Sequence, residues 1–168
     1  MKSIPYSAQE IFVMAEQIER NGARFYRRAA ESTEMSGSRQ FLLELAEMED
    51  KHEQTFARMK SELGDHAEAD LILDPDDQAA AYLQAMADGH VFDVRANPAE
   101  LLTGSETMEE ILKTAIGLEK DSIVFYLGMK QIVPENLGRD KIEWIITEEM
   151  RHVTILSKEL AKLKDKLI

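Results

Sequence analysis

Cysteine is absent from this 168-residue chain. Its absence excludes disulfides, thiolate catalysis and iron–sulfur ligation together. Positive charge is scarce: 20 Lys and Arg stand against 32 Asp and Glu, for a formal net charge of −12. Such acidity argues against nucleic acid or an anionic membrane as a partner. No apolar run is long enough to span a bilayer. No long apolar stretch follows Met1-Lys2-Ser3-Ile4-Pro5, so no signal peptide is expected and a cytoplasmic location fits. The length suits one domain with a sizeable core.

What the chain does contain is a repeat at an offset of one hundred residues, with no gap. Glu19 matches Glu119, Phe25-Tyr26 matches Phe125-Tyr126, and Glu49 and His52 match Glu149 and His152. Glu10/Glu110, Ile11/Ile111, Ala15/Ala115 and Arg39/Arg139 are also identical pairs. The chain reads as a duplicated helical hairpin whose repeated polar residues are metal-ligand types.

Apolar residues recur every three or four positions, as an amphipathic helix requires. In the first helix they are Ile11, Ala15, Ile18, Gly22, Phe25 and Ala29, and Glu19 lies inside that stripe. Leu42, Leu45, Met48, Phe56 and Met59 mark the second, interrupted by Glu49 and His52. Leu112, Ala115, Ser122, Tyr126 and Met129 surround Glu119 in the third; Ile142, Ile145, Leu156 and Leu160 surround Glu149 and His152 in the fourth. Burying an unpaired ion costs several kcal/mol, and four carboxylates in one core repel one another. Two divalent cations cancel those four charges. Glu-x-x-His places both side chains on one helix face, one turn apart, a pattern that builds dinuclear sites in bundles.

Four helices are expected, over residues 8–33, 38–63, 108–133 and 138–164. Ser7-x-x-Glu10 and Thr107-x-x-Glu110 are capping boxes, and Gly64 suits the end of the second helix. Residues 34 and 134 lie midway between the paired glutamates of each hairpin. Both fall in turn-forming sequence, Glu34-Met35-Ser36-Gly37-Ser38 and Pro134-Glu135-Asn136. With all four faces meeting, helices two and three run parallel, and the segment 65–106 crosses the bundle. About 12 extended residues span ~40 Å, so the surplus is expected to form a short helix. Asp74 caps it, Pro75 opens it, Gly89 ends it, and Ala79, Leu83 and Met86 form its apolar face. A further turn is expected at Asn97-Pro98. Glu16, Glu53 and Glu148 read as surface or rim residues, His66 and His90 as residues without a metal role, and Trp144 as packing.

Glu19, Glu49-x-x-His52, Glu119, Glu149-x-x-His152 and the two Phe-Tyr pairs resemble the ferritin-like superfamily, most closely its rubrerythrin branch. The likeness covers both hairpins. It implies an all-α ferritin-like four-helix bundle, one diiron-binding domain over residues 1–168. It further implies two iron ions, with Mn or Zn also compatible with such ligands. Glu19 and Glu119 would be terminal ligands, Glu49 and Glu149 would bridge, and His52 and His152 would each complete one metal. Tyr26 and Tyr126 would orient ligands or relay protons. The implied activity is reduction of hydrogen peroxide or dioxygen, with electrons from an external donor protein. Ferroxidase or iron handling, and a non-catalytic dinuclear bundle, are the alternatives. The chain departs from the family pattern in two ways. It has no cysteines for a rubredoxin-type iron site, and Ile116, Ser122 and Ile123 stand one turn from Glu119 where rubrerythrins carry an extra glutamate. Apolar residues of the crossover (Ala79, Ala80, Leu83, Met86, Val91 and Phe92) lead to the expectation of a homodimer.

Overall fold

A computed structural model describes residues 7–64, 78, 81, 82, 85 and 96–165. The described residues are helical, with no strand among them. Four long helices carry the fold: α1 (Ala8–Glu31), α2 (Ser36–Glu62), α3 (Met108–Ile132) and α4 (Arg139–Asp165). Their ends lie within two residues of the expected ones.

Both capping boxes form. The Ser7 N–H donates to Glu10 Oε2 at 2.7 Å, and the Glu10 N–H returns to Ser7 Oγ at 3.2 Å. Thr107 and Glu110 repeat the pair at 2.7 and 3.3 Å. Each pair satisfies backbone donors that a helix start leaves open. The hairpin turns share a second device. Arg39 donates from Nε and Nη2 to the Thr33 carbonyl, and Arg139 donates from Nε to the Val133 carbonyl. The Arg39/Arg139 identity in the repeat is therefore a turn clamp.

The helices of each hairpin pack tightly along their length. Between hairpins, backbones approach where α1 meets α3 and where α2 meets α4. Two apolar cores result. One joins the start of α1 to the end of α2, through Ile11, Phe12, Phe56, Phe125, Tyr126 and Ile142. The other lies at the opposite end, through Phe25, Tyr26, Leu42, Leu45, Leu112 and Leu156. The repeat partners Phe25-Tyr26 and Phe125-Tyr126 thus sit at opposite ends, as a two-fold relation between antiparallel hairpins demands. The polar residues of the repeat fill the layer between the cores.

In the crossover, Gln78, Ala81, Tyr82 and Ala85 are helical, in agreement with the expected short helix. The Tyr82 hydroxyl donates to the Val124 carbonyl at 2.8 Å, which places Tyr82 against the outer side of α3. Asp74, Pro75, Ala79, Ala80, Leu83, Met86, Gly89, Val91 and Phe92, named above for caps, apolar face or association, lie outside the described residues, as do His66 and His90. The turn at Asn97-Pro98 is present as a 3₁₀ helix (Pro98–Leu101), capped by Asn97 Oδ1 on the Ala99 N–H at 3.2 Å.

Candidate metal centre

Glu19, Glu49, His52, Glu119, Glu149 and His152 all point into the middle layer, and none is more than 4 % exposed. Each arrives from its own helix stripe: Glu19 from α1, Glu49 and His52 from α2, Glu119 from α3, Glu149 and His152 from α4. One turn separates Glu from His on α2 and on α4, so both side chains leave the same face.

The donor atoms form two overlapping groups. Glu19, Glu49, His52 and Glu149 bring one ligand atom each within 4.8 Å of one another, and so do Glu49, Glu119, Glu149 and His152. Glu49 and Glu149 belong to both groups, so either could contribute a donor to both. His52 Nδ1 lies 2.8 Å from Glu149 Oε1 and 3.4 Å from Glu19 Oε2. His152 Nδ1 lies 2.9 Å from Glu149 Oε2, 3.1 Å from Glu49 Oε1 and 3.6 Å from Glu119 Oε1. The two imidazoles stack, with centroids 5.4 Å apart.

These close atoms do not satisfy one another. Glu19 Oε2, Glu49 Oε1, both oxygens of Glu149 and Nδ1 of both histidines are buried without a hydrogen bond. Buried polar groups are normally paired. Here the unpaired donors cluster closely, which fits cations: oxygen and imidazole donors, two carboxylates common to both groups, four negative charges against two divalent ions.

Protonation responds to the same crowding. Burial, then the charges of Glu149, Glu119 and Glu19, push the Glu49 carboxyl well above the usual range. Burial, with Glu19 and Glu119 beside it, pushes Glu149 up to about 8. For His52, burial favours the neutral ring, but the close carboxylates of Glu149 and Glu19 outweigh it and raise the group to about 10. His152 is likewise raised, by Glu119, Glu149 and Glu49 against the effect of burial.

The tyrosines reach across the molecule. Tyr26 on α1 donates its hydroxyl to Glu119 of the other hairpin, and Tyr126 on α3 donates to Glu19. Each hairpin therefore supplies the hydrogen bond that orients the other's single-helix glutamate. Burial first, then the neighbouring Glu119 or Glu19 charge, raises both hydroxyls well above the normal tyrosine range. Both tyrosines stay protonated donors at any ordinary pH.

Three residues depart from the sequence reading. Glu16 is buried rather than at the rim, 3.9 Å from Arg20 and 2.5 Å from Lys60. Trp144 is half exposed rather than core packing, and its ring stands edge-on to His52, with centroids 5.8 Å apart. Gly22 does more than continue a stripe: a Cβ there would come within 3.0 Å of Glu49 Oε2. Glu53 and Glu148 are half-buried at the edge, paired with Arg20 and Arg151, in line with a rim position. The sequence signal available for Gly22 was its pairing with Ser122 in the repeat, two small residues facing one layer.

A cavity of about 550 Å³ opens between α1 and α3 and ends on Glu49, Glu119 and Tyr26. Residues 96–101 form its roof, held to α1 by the Asn21 amide, which donates to the Ala96 carbonyl at 2.8 Å.

The sequence profile of the rubrerythrin family matches residues 10–93, half of the chain. The chain belongs to the rubrerythrin family. The matched half holds Glu19, Tyr26, Glu49 and His52, and the second half of the chain repeats them. A crystal structure from Thermotoga maritima, of a protein assigned as ferritin-like diiron-carboxylate, superposes with a TM-score of 0.71 at 26% identity. The match covers 93% of this chain and 95% of that one. No curated protein matches. The fold is thus that of the ferritin-like diiron-carboxylate proteins. Among the described residues no helix is long and apolar enough to cross a membrane.

Proposed function

We propose that this protein is a non-haem diiron oxidoreductase that reduces hydrogen peroxide or dioxygen with electrons from an external donor protein. The observation that carries this reading is the pair of four-residue donor groups sharing Glu49 and Glu149. In it, Glu19 and Glu119 would be terminal ligands, Glu49 and Glu149 would bridge, and His52 and His152 would each complete one site. Two iron ions held by these residues would supply the two electrons that reduction of an O–O bond requires. The remaining work belongs to the chain. The shared glutamates hold the pair together, and the two apolar cores limit water on either side. Tyr26 and Tyr126 fix the terminal carboxylates and keep a proton at each phenolic oxygen. The same reading includes association as a homodimer; light scattering near twice 19.1 kDa supports that part, and 19.1 kDa refutes it.

Stopped-flow mixing of the anaerobic, iron(II)-loaded protein with hydrogen peroxide tests the reading. Oxidation of the bound iron faster than that of free ferrous ion is expected. An equal or slower rate refutes reduction of peroxide at this site.

A further inference from the structure

The cavity beside the centre is far larger than a peroxide needs. A water molecule occupies roughly 30 Å³ in the liquid, and a molecule of two oxygens needs about twice that. The cavity holds about 550 Å³, within the range of about 300–1,000 Å³ typical of sites for organic ligands. Its walls are carbon-rich: Ile18 and Gly22 from α1, Leu118 from α3, Pro98 and Leu101 from the roof. The polar wall groups near the floor are already engaged. Ser122 Oγ donates to the Leu118 carbonyl at 3.1 Å, and Tyr26 donates to Glu119. The charged lining groups among the described residues are carboxylates: Glu49 and Glu119 on the floor, Glu100 and Asp121 nearer the mouth. Among the described residues no lysine or arginine lines the cavity.

From this geometry we infer that the cavity receives the carbon part of a neutral organic hydroperoxide, with its O–O group at the floor beside Glu49 and Glu119. The inference rests on the peroxide-reducing reading above and names the substrate class. Apolar walls favour a hydrocarbon group by removing its surface from water. With the floor carboxylates compensated by metal, Glu100 and Asp121 nearer the mouth still disfavour an anionic substrate such as a fatty-acid hydroperoxide. In the reaction the O–O bond breaks, and the hydroperoxide takes up two electrons and two protons. One oxygen stays on carbon as an alcohol and the other leaves as water. The electrons would be those of an iron pair held by the six ligand residues and restored by the external donor protein, and the protons would come from solvent.

The probes are cumene hydroperoxide, its alcohol product 2-phenyl-2-propanol, and the para-carboxylate of that alcohol. Calorimetric titration of the metal-loaded protein is expected to show binding of the neutral alcohol. Binding should weaken at least about tenfold for the carboxylate and in Ser122→Trp, whose indole fills the cavity. Leu118→Trp serves as a second cavity-filling variant, with helicity and metal content checked in both. The rate of oxidation of the iron(II) protein by cumene hydroperoxide, relative to hydrogen peroxide, should fall about tenfold in the same variants. Absence of alcohol binding, equal binding of the carboxylate, or binding unaffected by either folded variant overturns the inference. Oxidation by hydrogen peroxide but not by cumene hydroperoxide overturns it too, and leaves the proposed function standing. Alcohol binding with neither peroxide reacting removes the peroxide reading itself, and the hydroperoxide with it.

Discussion

Glu49 and Glu149 are the two side chains common to both donor groups, so each affects two ion positions at once. Glu49→Ala or Glu149→Ala is expected to abolish dinuclear binding. Glu53→Ala, one turn from Glu49 but engaged by Arg20 at 2.6 Å on the bundle's edge, is expected to keep the full metal content. Metal analysis of the three variants decides: equal loss in all refutes the assignment. Tyr26→Phe removes one hydrogen bond to Glu119 and no ligand atom. Its metal stoichiometry should persist while affinity falls about 10- to 100-fold, the usual cost of losing a partner that orients a ligand. Chelator competition measures it, and an unchanged affinity would show that Glu119 needs no orienting bond. All six polar residues of the layer were legible in the sequence, because a charged group inside an apolar stripe is conspicuous and here occurs twice. The tyrosines' partners were not legible. Spacing along one helix associates Tyr26 with Glu19, whereas the bond runs to Glu119, 93 positions away. The burial of Glu16 was hidden for the same reason: Lys60, on another helix, neutralises it.

Helices α1 and α3 begin where their capping boxes place them, since a Ser or Thr with Glu three residues on closes open donors locally, whatever the tertiary fold. The turns depend on longer-range contacts. Helix α2 starts at Ser36 and α4 at Arg139, each within two residues of the expectation. What fixes the turns is an arginine clamp six residues back and, in the second hairpin, Gly138 at φ 96 after a 3₁₀ turn. That φ is left-handed, a region costing an L side chain roughly 1–2 kcal/mol. A Cβ at 138 would also lie 2.8 Å from Met59 Cε, so the flexible Met59 tip must move. Gly138→Ala should therefore lower unfolding free energy by about 1–3 kcal/mol. Gly37→Ala, in the first turn of α2 with open space around it, should be neutral or stabilising by up to about 1 kcal/mol. Denaturant titration of both variants tests the contrast, and equal effects would mean that the left-handed turn carries no strain for alanine. The hairpin midpoints were legible because ligand pairing sets the register. The clamp was visible only as an unexplained identity between Arg39 and Arg139.

Across the whole molecule, one buried acidic layer separates two apolar cores, and its charge sets how stability depends on pH. In the metal-free protein, Glu149 titrates at about 8 rather than in the ordinary carboxylate range, and Glu49 is shifted in the same direction. His52 titrates at about 10 rather than 6.5. All three bind protons more tightly folded than unfolded, so the folded state carries more protons across that window. Stability then falls as pH rises. For Glu149 the loss begins near the ordinary carboxylate pKa and is complete above about 8; for His52 it begins near 6.5 and is complete above about 10. Divalent ions replace those protons and neutralise the layer without them. The metal-free protein is therefore expected to melt at progressively lower temperature from pH 5 to pH 9, whereas the metal-loaded protein changes little over that range. The difference between the two forms should be smallest in mild acid, where protons already compensate the carboxylates, and largest at alkaline pH. Calorimetric scans of both forms across the series provide the measurement. A metal-free protein that melts at the holo temperature at neutral pH, or whose melting temperature rises toward pH 9, would contradict a layer held together by cations.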